Sequence, residues 1–505
     1  MKHTKPEPSE KKIIHWQQVA AATIANLSTL CVGCAMGWTS PVLPVLQLQY
    51  ADVDGVWYSG VPLTKTEGAW MGALLPVGAL IGSIPAGFIT HRYGRKLPLL
   101  AFGLLLFAGW VMLVFYESLI LLMVGRFICG LAAAGVTTIA PLYAEEVAAA
   151  EIRGALGTLL DLMLAAGLLV VYGVGIVLPV RWLTVTMAVL PLGFCAAFML
   201  MPESPEYLHN RKRHEKAVRA EAWLHLEHSP PALASVLLDS AAIKQKDGLQ
   251  LQQLDDERLR QLHAQRDQPR PEPEVPTKQK PPTLRACFIV FPLMAFQQLS
   301  GVDAILFYTV DIFAEAGTSI SPQISTVITG AVQLVGTGAS ALLVENFGRR
   351  PLLIASGVLM SVSHLLLAVH QSWLWLHEAA GWLPLVTINV FLIGFAIGLG
   401  PLPWLLIAEL LPSVSKKWAA GVAVCISWIA CSIMTGLFDG FIEEYGTTPA
   451  YSLLGGICII YTVFSAALVP ETRGLQSQEI QQKLTDAGTP ICFTCCTSED
   501  SGDVI

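Results

Sequence analysis

Long apolar segments alternate with short polar segments along most of the chain. Each apolar segment is about 20 residues long, the length that crosses a bilayer as a helix. The segments begin near Val19, Trp70, Pro98, Leu119, Leu156, Leu183, Ala286, Gln323, Pro351, Gly381, Trp418 and Pro449. This pattern predicts an all-α membrane protein with twelve transmembrane helices, six on each side of one long polar stretch.

The polar stretch divides the chain into five predicted regions. These are an N-terminal tail at 1–18, a six-helix half at 19–201, an insertion at 202–284, a second six-helix half at 285–469 and a C-terminal tail at 470–505. The insertion opens with a helical pattern, EKAVRAEAWLHLE, and continues as QRDQPRPEPEVPTKQKPP. The proline and charge content of the second part is typical of a flexible linker.

Composition and charge support membrane insertion and suggest an orientation. Apolar residues make up 53% of the chain and charged residues only 14%, against about a quarter in soluble domains. If the N-terminus is cytoplasmic, nearly all Lys and Arg fall on the inner side, and only Lys65 and Arg181 lie clearly outside. By the positive-inside rule both termini are expected in the cytoplasm. We expect the membrane to be the plasma membrane.

The two halves repeat three landmarks in the same order. YGRKLPLL at 93–100 corresponds to FGRRPLLI at 347–354, and PESPE at 202–206 corresponds to PETRG at 470–474. Glu146 precedes Arg153 by the same interval that separates Glu409 from Lys416. The repeat indicates pseudo-symmetric halves with charged groups on the cytoplasmic side. These charges either bias a two-state equilibrium by pairing between helices or simply form tight turns that fix topology.

Two apolar segments carry polar residues and helix-breaking sequences. The seventh, FQQLSGVDAILFY at 296–308, places two amides and an acid where lipid would penalise them, so we expect them to face the bundle interior. A straight helix would bring Gln297 and Tyr308 to one face but not Gln298 and Asp303, and the Ser-Gly pair offers a break. The tenth segment repeats the device in GLGPLPWLL at 398–406. Corresponding broken helices point to a binding site near the bilayer midplane.

The residue types suggest a neutral ligand rich in hydroxyl groups. Amides and carboxylates hydrogen-bond hydroxyls, and aromatic faces pack on the apolar side of a sugar ring. The candidate substrate-binding residues are Gln297, Gln298, Asp303, Gln333, Trp404, Asp161, Tyr308 and Trp428. The alternatives are that the two glutamines join helices and that Trp428 packs in the core.

Other functions find little support in the sequence. No nucleophile–base pair, nucleotide-binding loop or metal-ligand spacing is present, so we expect neither an enzyme nor a cofactor nor a nucleic-acid partner. The cysteines fall mostly in apolar segments and read as small buried residues. Cys492, Cys495 and Cys496 are candidate palmitoylation sites, and the C-terminal DVI is a weak candidate for a PDZ-type partner.

In combination, these motifs resemble the sugar porter family of the major facilitator superfamily. They are GRK, GRR, PLYAEEVAAAEIRG, PESPEYL, FQQLSGVDAILFY, GPLPWLLIAEL and PETRG. GWTSPVLPVL at 37–46 is similar to the first span of insect facilitated trehalose transporters and class III facilitative glucose transporters. The resemblance implies the major facilitator fold, a central sugar site and alternating access by rocking of the two halves.

The resemblance also implies residue roles. Gln297 and Gln298 would bind sugar hydroxyls, with Gln333 and Trp404 completing the site. The cytoplasmic charge network would comprise Arg92, Arg95, Glu146, Arg153, Glu345, Arg349, Arg350, Glu409 and Lys416. The chain departs from the family pattern at Asp161, Asp303, Ser427, His91, Asn346 and Glu206, where Gln, Asn, Asn, Asp, Arg and Arg are usual.

We therefore expect a facilitative uniporter of a hexose or trehalose. Proton-coupled relatives carry an acid in the first span, where this chain has Ala35. One alternative is a proton–sugar symporter that uses Asp161 or Asp303, since intramembrane acids can relay protons. A second alternative is a sugar-sensing receptor with little flux.

Overall fold

We analysed a computed structural model of the chain. It describes residues 16–47, 63–149, 152, 156–225, 283–316, 318, 320–373, 380–412, 416–475, 479, 480, 482 and 484. The tails, most of the insertion, Arg153 and the cysteines at 492, 495 and 496 lie outside these ranges. The side chains of Glu345 and Lys416 are likewise outside the description.

Among the described residues, the first half and the start of the insertion contain nine helices. They are α1 (Trp16–Gly37), α2 (Thr39–Leu46), α3 (Lys65–Tyr93), α4 (Lys96–Val114), α5 (Leu119–Val147), α6 (Leu159–Val177), α7 (Val180–Phe198), α8 (Pro205–Asn210) and α9 (His214–Leu224). The last two belong to the polar insertion, where α9 packs on α8 and reaches α1. The predicted helical start of the insertion is thus present.

The second half has the same plan with more interruptions. Its helices are α10 (Thr283–Leu299), α11 (Val302–Phe307), α12 (Thr309–Glu315), α13 (Pro322–Phe347), α14 (Arg349–Ser372), α15 (Leu383–Ile397), α16 (Leu402–Leu410), α17 (Lys416–Tyr445) and α18 (Thr447–Leu468). The seventh span is α10 with α11, and the tenth is α15 with α16.

Within the described residues, twelve helical spans are long and apolar enough to cross a membrane. Each begins within a few residues of its predicted start, so the predicted all-α twelve-helix membrane fold is confirmed.

Local interactions explain where several of these helices begin and end. Thr64 and Glu67 form a reciprocal capping box at the start of α3. Gly94 and Gly348, both with positive φ, make the turns that follow α3 and α13.

The spans alternate in direction, which defines two faces of the bundle. We call the face where α1 begins and α18 ends the termini face, and the other the opposite face. Helix α3 packs on α17 and helix α6 packs on α13, and these two seams join the halves. Within the first half, α3 packs on α5 and α1 packs on α6.

The two halves are bonded together at the opposite face. The Tyr172 hydroxyl donates to the Leu306 carbonyl over 2.7 Å, and the Val310 amide donates to the Ser40 hydroxyl over 3.1 Å. The Tyr308 hydroxyl lies so close to Gly72 of α3 that a side chain there would overlap it. These contacts close the opposite face.

Glycines set the spacing of the helices inside the first half. A methyl group added at Gly130 of α5 would overlap the Leu75 carbonyl of α3, and one at Gly78 would overlap the Phe127 carbonyl. The α3–α5 pair therefore packs backbone against backbone, as small residues allow in membrane bundles.

We expect Gly130→Ala to destabilise the protein, because the added methyl must push α3 away from α5. Overpacking of this kind costs about 1–3 kcal/mol. Gly87→Ala is the matched control, because a methyl at that position of α3 meets nothing within 4 Å. Thermal unfolding in detergent should show a lower midpoint for Gly130→Ala only, and equal midpoints would contradict the close packing.

Candidate functional site

The break in the seventh span lies at Ser300 and Gly301. Helix α10 ends at Leu299, Gly301 has φ +88, and α11 starts at Val302. The predicted break at the Ser-Gly pair is therefore present. The freed carbonyl of Ser300 bonds the imidazole Nε2 of His364 on α14 over 3.0 Å. A backbone group that the helix cannot satisfy thus finds a side-chain partner in the apolar interior.

Three polar side chains of the broken span bind one face of α17. Gln298 Nε2 donates to Ser427 Oγ over 3.0 Å, and the Tyr308 hydroxyl donates to the Thr435 carbonyl over 3.0 Å. Between them, the Cys431 thiol donates to Asp303 Oδ2 over 2.9 Å. The α17 partners are four residues apart, so they lie one above another on the helix. We call these three contacts the α17 ladder.

Gln297 connects the two broken spans. Its Nε2 donates to the carbonyls of Leu399 and Gly400 over 3.1 and 2.6 Å, at the break between α15 and α16. Carbonyl oxygens only accept, so this arrangement fixes which end of the amide faces them. The side chain is 4% exposed, and its Oε1 has no hydrogen-bond partner. The nitrogen joins helices, as the alternative interpretation held, and the oxygen is left for another donor.

The remaining candidates lie around this centre. Asp161 on α6 and Gln333 on α13 belong to the seam between the halves, and the Gln333 Oε1 is also without a partner. Trp404, on the first turn of α16 after the break, is 43% exposed, and Trp428 is partly buried on α17. The structure thus ties Gln298, Asp303 and Tyr308 to one ladder and Gln297 to the break between α15 and α16. The other four candidates lie on α6, α13, α16 and α17.

Arg126 is a further functional candidate, which the sequence pattern alone did not single out. It is fully buried on α5, where its guanidinium donates to the carbonyls of Met71 and Ala35. The guanidinium carbon is 5.9 Å from the ring centres of both Trp38 and Phe307. Since Trp38 and Phe307 belong to different halves, the buried cation contacts both where they close.

The termini face of the first half carries a compact charge cluster. Arg95 pairs with Glu146 over 2.6 Å, and Ser204 donates to the other oxygen of Glu146. Glu203 accepts from the backbone amides of Arg95 and Lys96 at the start of α4. An acid at a helix N-terminus is stabilised by the helix dipole and the free amides.

The second half repeats this cluster. Arg349 pairs with Glu409 over 3.0 Å, and Thr472 donates to Glu409 over 2.6 Å. Glu471 accepts from the backbone amides of Arg349 and Arg350. The sequence landmarks PESPE and PETRG therefore each supply one acid and one hydroxyl to a cluster. Their sequence pattern alone did not indicate these roles.

Of the five other members of the predicted network, the structure describes the side chains of Arg92 and Arg350. The Arg350 guanidinium donates to the Ala466 carbonyl, and the Arg92 guanidinium lies over the Tyr93 ring. The structure gives no account of Arg153 or of the Glu345 and Lys416 side chains. Each described cluster joins helices of its own half, so in this state the charges stabilise each half separately.

His364 and Cys431 are two further site residues that the sequence pattern did not single out. Each had only a weak signal in the sequence. His364 is a histidine inside an apolar span, and it packs against Phe391 at 4.6 Å between ring centres. Cys431 looked like a small apolar residue, yet its thiol faces a carboxylate. Only the register between helices shows what each one contacts.

Acidic groups gather behind the contacts that close the opposite face. Burial, with Asp439 and Glu315 nearby, raises the pKa of Asp311 on α12 to about 8. Both oxygens of Asp311 are buried without a hydrogen-bond partner. Lys65 pairs with Glu443 of the other half at 3.6 Å. Its positive charge offsets part of the repulsion among the acidic side chains. Because α12 also packs on α2 of the first half, opening of this face would hydrate Asp311, so its protonation favours closure.

Two pseudo-symmetric six-helix halves, closed at one face around polar groups on broken helices, define a membrane carrier of the major facilitator class. The family model described as "Sugar (and other) transporter" matches residues 22–484. The chain belongs to this family of sugar transporters. It is accordingly a multi-pass membrane transport protein and not an enzyme.

Named relatives agree with this assignment. The chain is 28% identical over 471 residues to a facilitated trehalose transporter, Tret1, of Apis mellifera ligustica, covering 92% of this chain and 88% of the bee protein. It is 30% identical over 483 residues to a Tret1 of Aedes aegypti, covering 94% of this chain. The alignment spans only 56% of the mosquito protein.

A solved structure shares the fold. The inward open conformation of the xylose transporter XylE from E. coli superposes with a TM-score of 0.69 over 92% of this chain and 99% of that protein. At 20% sequence identity this similarity establishes the fold alone.

We expect His364→Leu to weaken substrate binding, because the Ser300 carbonyl loses its donor and the α10–α11 break loses its fixed geometry. A lost hydrogen bond of about 1 kcal/mol corresponds to a roughly fivefold higher KM for a labelled sugar, with a smaller change in maximal rate. His364→Gln keeps a donor and should recover most of the affinity. The exposed His91→Leu is the control, and equal KM values for His364→Leu and the wild type would contradict the role.

We expect the opposite face to open as pH rises. The pKa of Asp311 in the closed arrangement is about 8, above the value of about 4 for a free carboxyl, so closure loses stability progressively between these pH values. Spin labels on exposed Thr66 and Glu444, with other reactive thiols replaced, should move apart between about pH 5 and pH 8. Asp311→Asn should remove this change, and a wild-type distance independent of pH would contradict the mechanism.

Proposed function

We propose that the protein is a facilitative uniporter that moves a hexose or trehalose by alternating access. The substrate would bind between the halves at Gln297, Gln298, Asp303 and Gln333, with Asp161, Tyr308, Trp404 and Trp428 around it. The main support is the junction of the two helix breaks by Gln297, which leaves an acceptor oxygen free in the bundle interior. Among the described residues, the shorter hydrogen bonds between the halves lie at the opposite face, and only the 3.9 Å contact of Ser83 with Cys425 lies nearer the termini face. This distribution fits a carrier open toward the termini face.

Rocking of rigid halves explains the duplicated clusters. Arg95 with Glu146, and Arg349 with Glu409, each tie the ends of neighbouring helices within a half. The seams α3–α17 and α6–α13 would then act as the surfaces on which the halves rotate. We place both termini in the cytoplasm of a plasma-membrane protein, because Lys and Arg gather on the termini face.

Uniport is favoured by the surroundings of Arg126. Its two described acceptors are backbone carbonyls, including that of Ala35 at the position where proton-coupled relatives have an acid. A neutral acceptor binds no proton at physiological pH, so this pair cannot couple transport to a proton gradient.

Proton symport is the second candidate, and the intramembrane acids Asp161 and Asp303 are its motivation. Asp303 is 5% exposed and hydrogen-bonds only a thiol among the described groups. An acid in such a place can carry a proton. A sugar-sensing receptor is the third candidate, and it would bind sugar without flux.

Purified protein in liposomes should equilibrate labelled glucose or trehalose without accumulating it, because the Ala35 carbonyl that Arg126 binds cannot take up a proton. An imposed inward proton gradient should leave the final internal concentration unchanged. Accumulation above the external level would reject uniport in favour of symport, and Asp161→Asn would then test the coupling site. Binding without flux would instead favour the receptor.

A further inference from the structure

The unused hydrogen-bonding groups at the proposed site are nearly all acceptors. Gln297, Gln298 and Gln333 each have an Oε1 without a partner, whereas the Nε2 groups of Gln297 and Gln298 already donate to protein acceptors. Gln297 is 4% exposed and Gln333 is 8% exposed, so bulk water does not satisfy these oxygens. A ligand that fits this inventory must bring donors.

Two carboxylates belong to the same set. Asp303 lies one turn from the Gln298 contact on the α17 ladder, and its described partner is one weak thiol donor. Asp161 takes part in none of the hydrogen bonds or ion pairs that the structure shows among its described residues. Its neighbour Leu162 faces Gly338 of α13, the helix that carries Gln333. Asp303 thus lies on the same ladder as Gln298, and Asp161 lies on a helix packed against the helix that carries Gln333.

No ion pair among the described residues neutralises these acids. Arg126 is the buried cation of this region, and its donors are directed to the carbonyls of Met71 and Ala35. With both acids ionised, the three groups together carry one net negative charge. A buried charge is stable only with a partner or a proton, and a substrate cation supplies the former.

We propose that this site prefers a sugar that carries a protonated amine, that is, an amino sugar, over the corresponding neutral sugar. An ammonium group offers three donors and a positive charge to Asp161, Asp303 and the glutamine oxygens, while the remaining hydroxyls donate as in any sugar. This inference rests on the proposed transport function and specifies its substrate class.

The test is competition against labelled glucose uptake in liposomes by glucosamine, glucose and N-acetylglucosamine. Because charge-assisted hydrogen bonds are about twice as strong as neutral ones, glucosamine should compete about tenfold better than glucose at a pH near 6.5. N-acetylglucosamine, which keeps the ring but loses the charge, should compete no better than glucose. Raising the pH past the amine's pKa, about 8, should remove the advantage.

Variants locate the preference. Asp161→Asn and Asp303→Asn should each reduce the glucosamine-to-glucose ratio, and the double variant should bring it close to one. Glu444→Gln removes an exposed charge at the end of α17 and should leave the ratio as in the wild type. A ratio near one in the wild type, or a tenfold ratio that survives in the double variant, would overturn the inference.

The glucosamine-to-glucose ratio of the wild-type protein tests the amine preference even if the variants fail to fold. Glucose uptake without an amine preference would reject this inference and leave the proposed transporter standing. Absence of uptake or competition for every sugar would reject both.

Discussion

Much of this structure depends on how unpaired backbone groups are satisfied in an apolar interior. Two described spans of the second half are broken, and each break frees carbonyls that lipid cannot hydrate. At the first break, the Ser300 carbonyl accepts a hydrogen bond from His364. At the second, the carbonyls of Leu399 and Gly400 accept from Gln297, which belongs to the other broken span. The two breaks therefore support each other, and they fix the polar centre of the second half.

The charge clusters solve a related problem at the termini face. Glu203 and Glu471 accept the free amides at the starts of α4 and α14, which are helix ends that would otherwise lack partners. Glu146 and Glu409 then tie these ends to α5 and α16. The sequence pattern suggested pairs that separate during a conformational change, whereas the described pairs strengthen each half as a unit. Motion is thereby confined to the seams between the halves.

The sequence was a good guide to features that depend on local pattern. Apolar length predicted the twelve spans, and the Ser-Gly pair and the glycine–proline cluster predicted the breaks. Contacts that depend on the register between distant helices were not predictable in this way. His364 with Ser300, and the spacing of Ser427, Cys431 and Thr435 along α17, emerge only when the helices are packed. The roles assigned to the candidate binding residues remain predictions.

Closure of the opposite face rests on few and modest interactions. The Tyr172–Leu306 and Ser40–Val310 hydrogen bonds are worth about 1 kcal/mol each, and an exposed pair such as Lys65 with Glu443 is worth less. Burial of the acidic Asp311, on the helix that packs on α2 of the first half, opposes them. Weak contacts and a buried acid favour a near balance between the closed arrangement and a second conformation. A carrier needs this near balance, because each face must open in every cycle without an external source of energy.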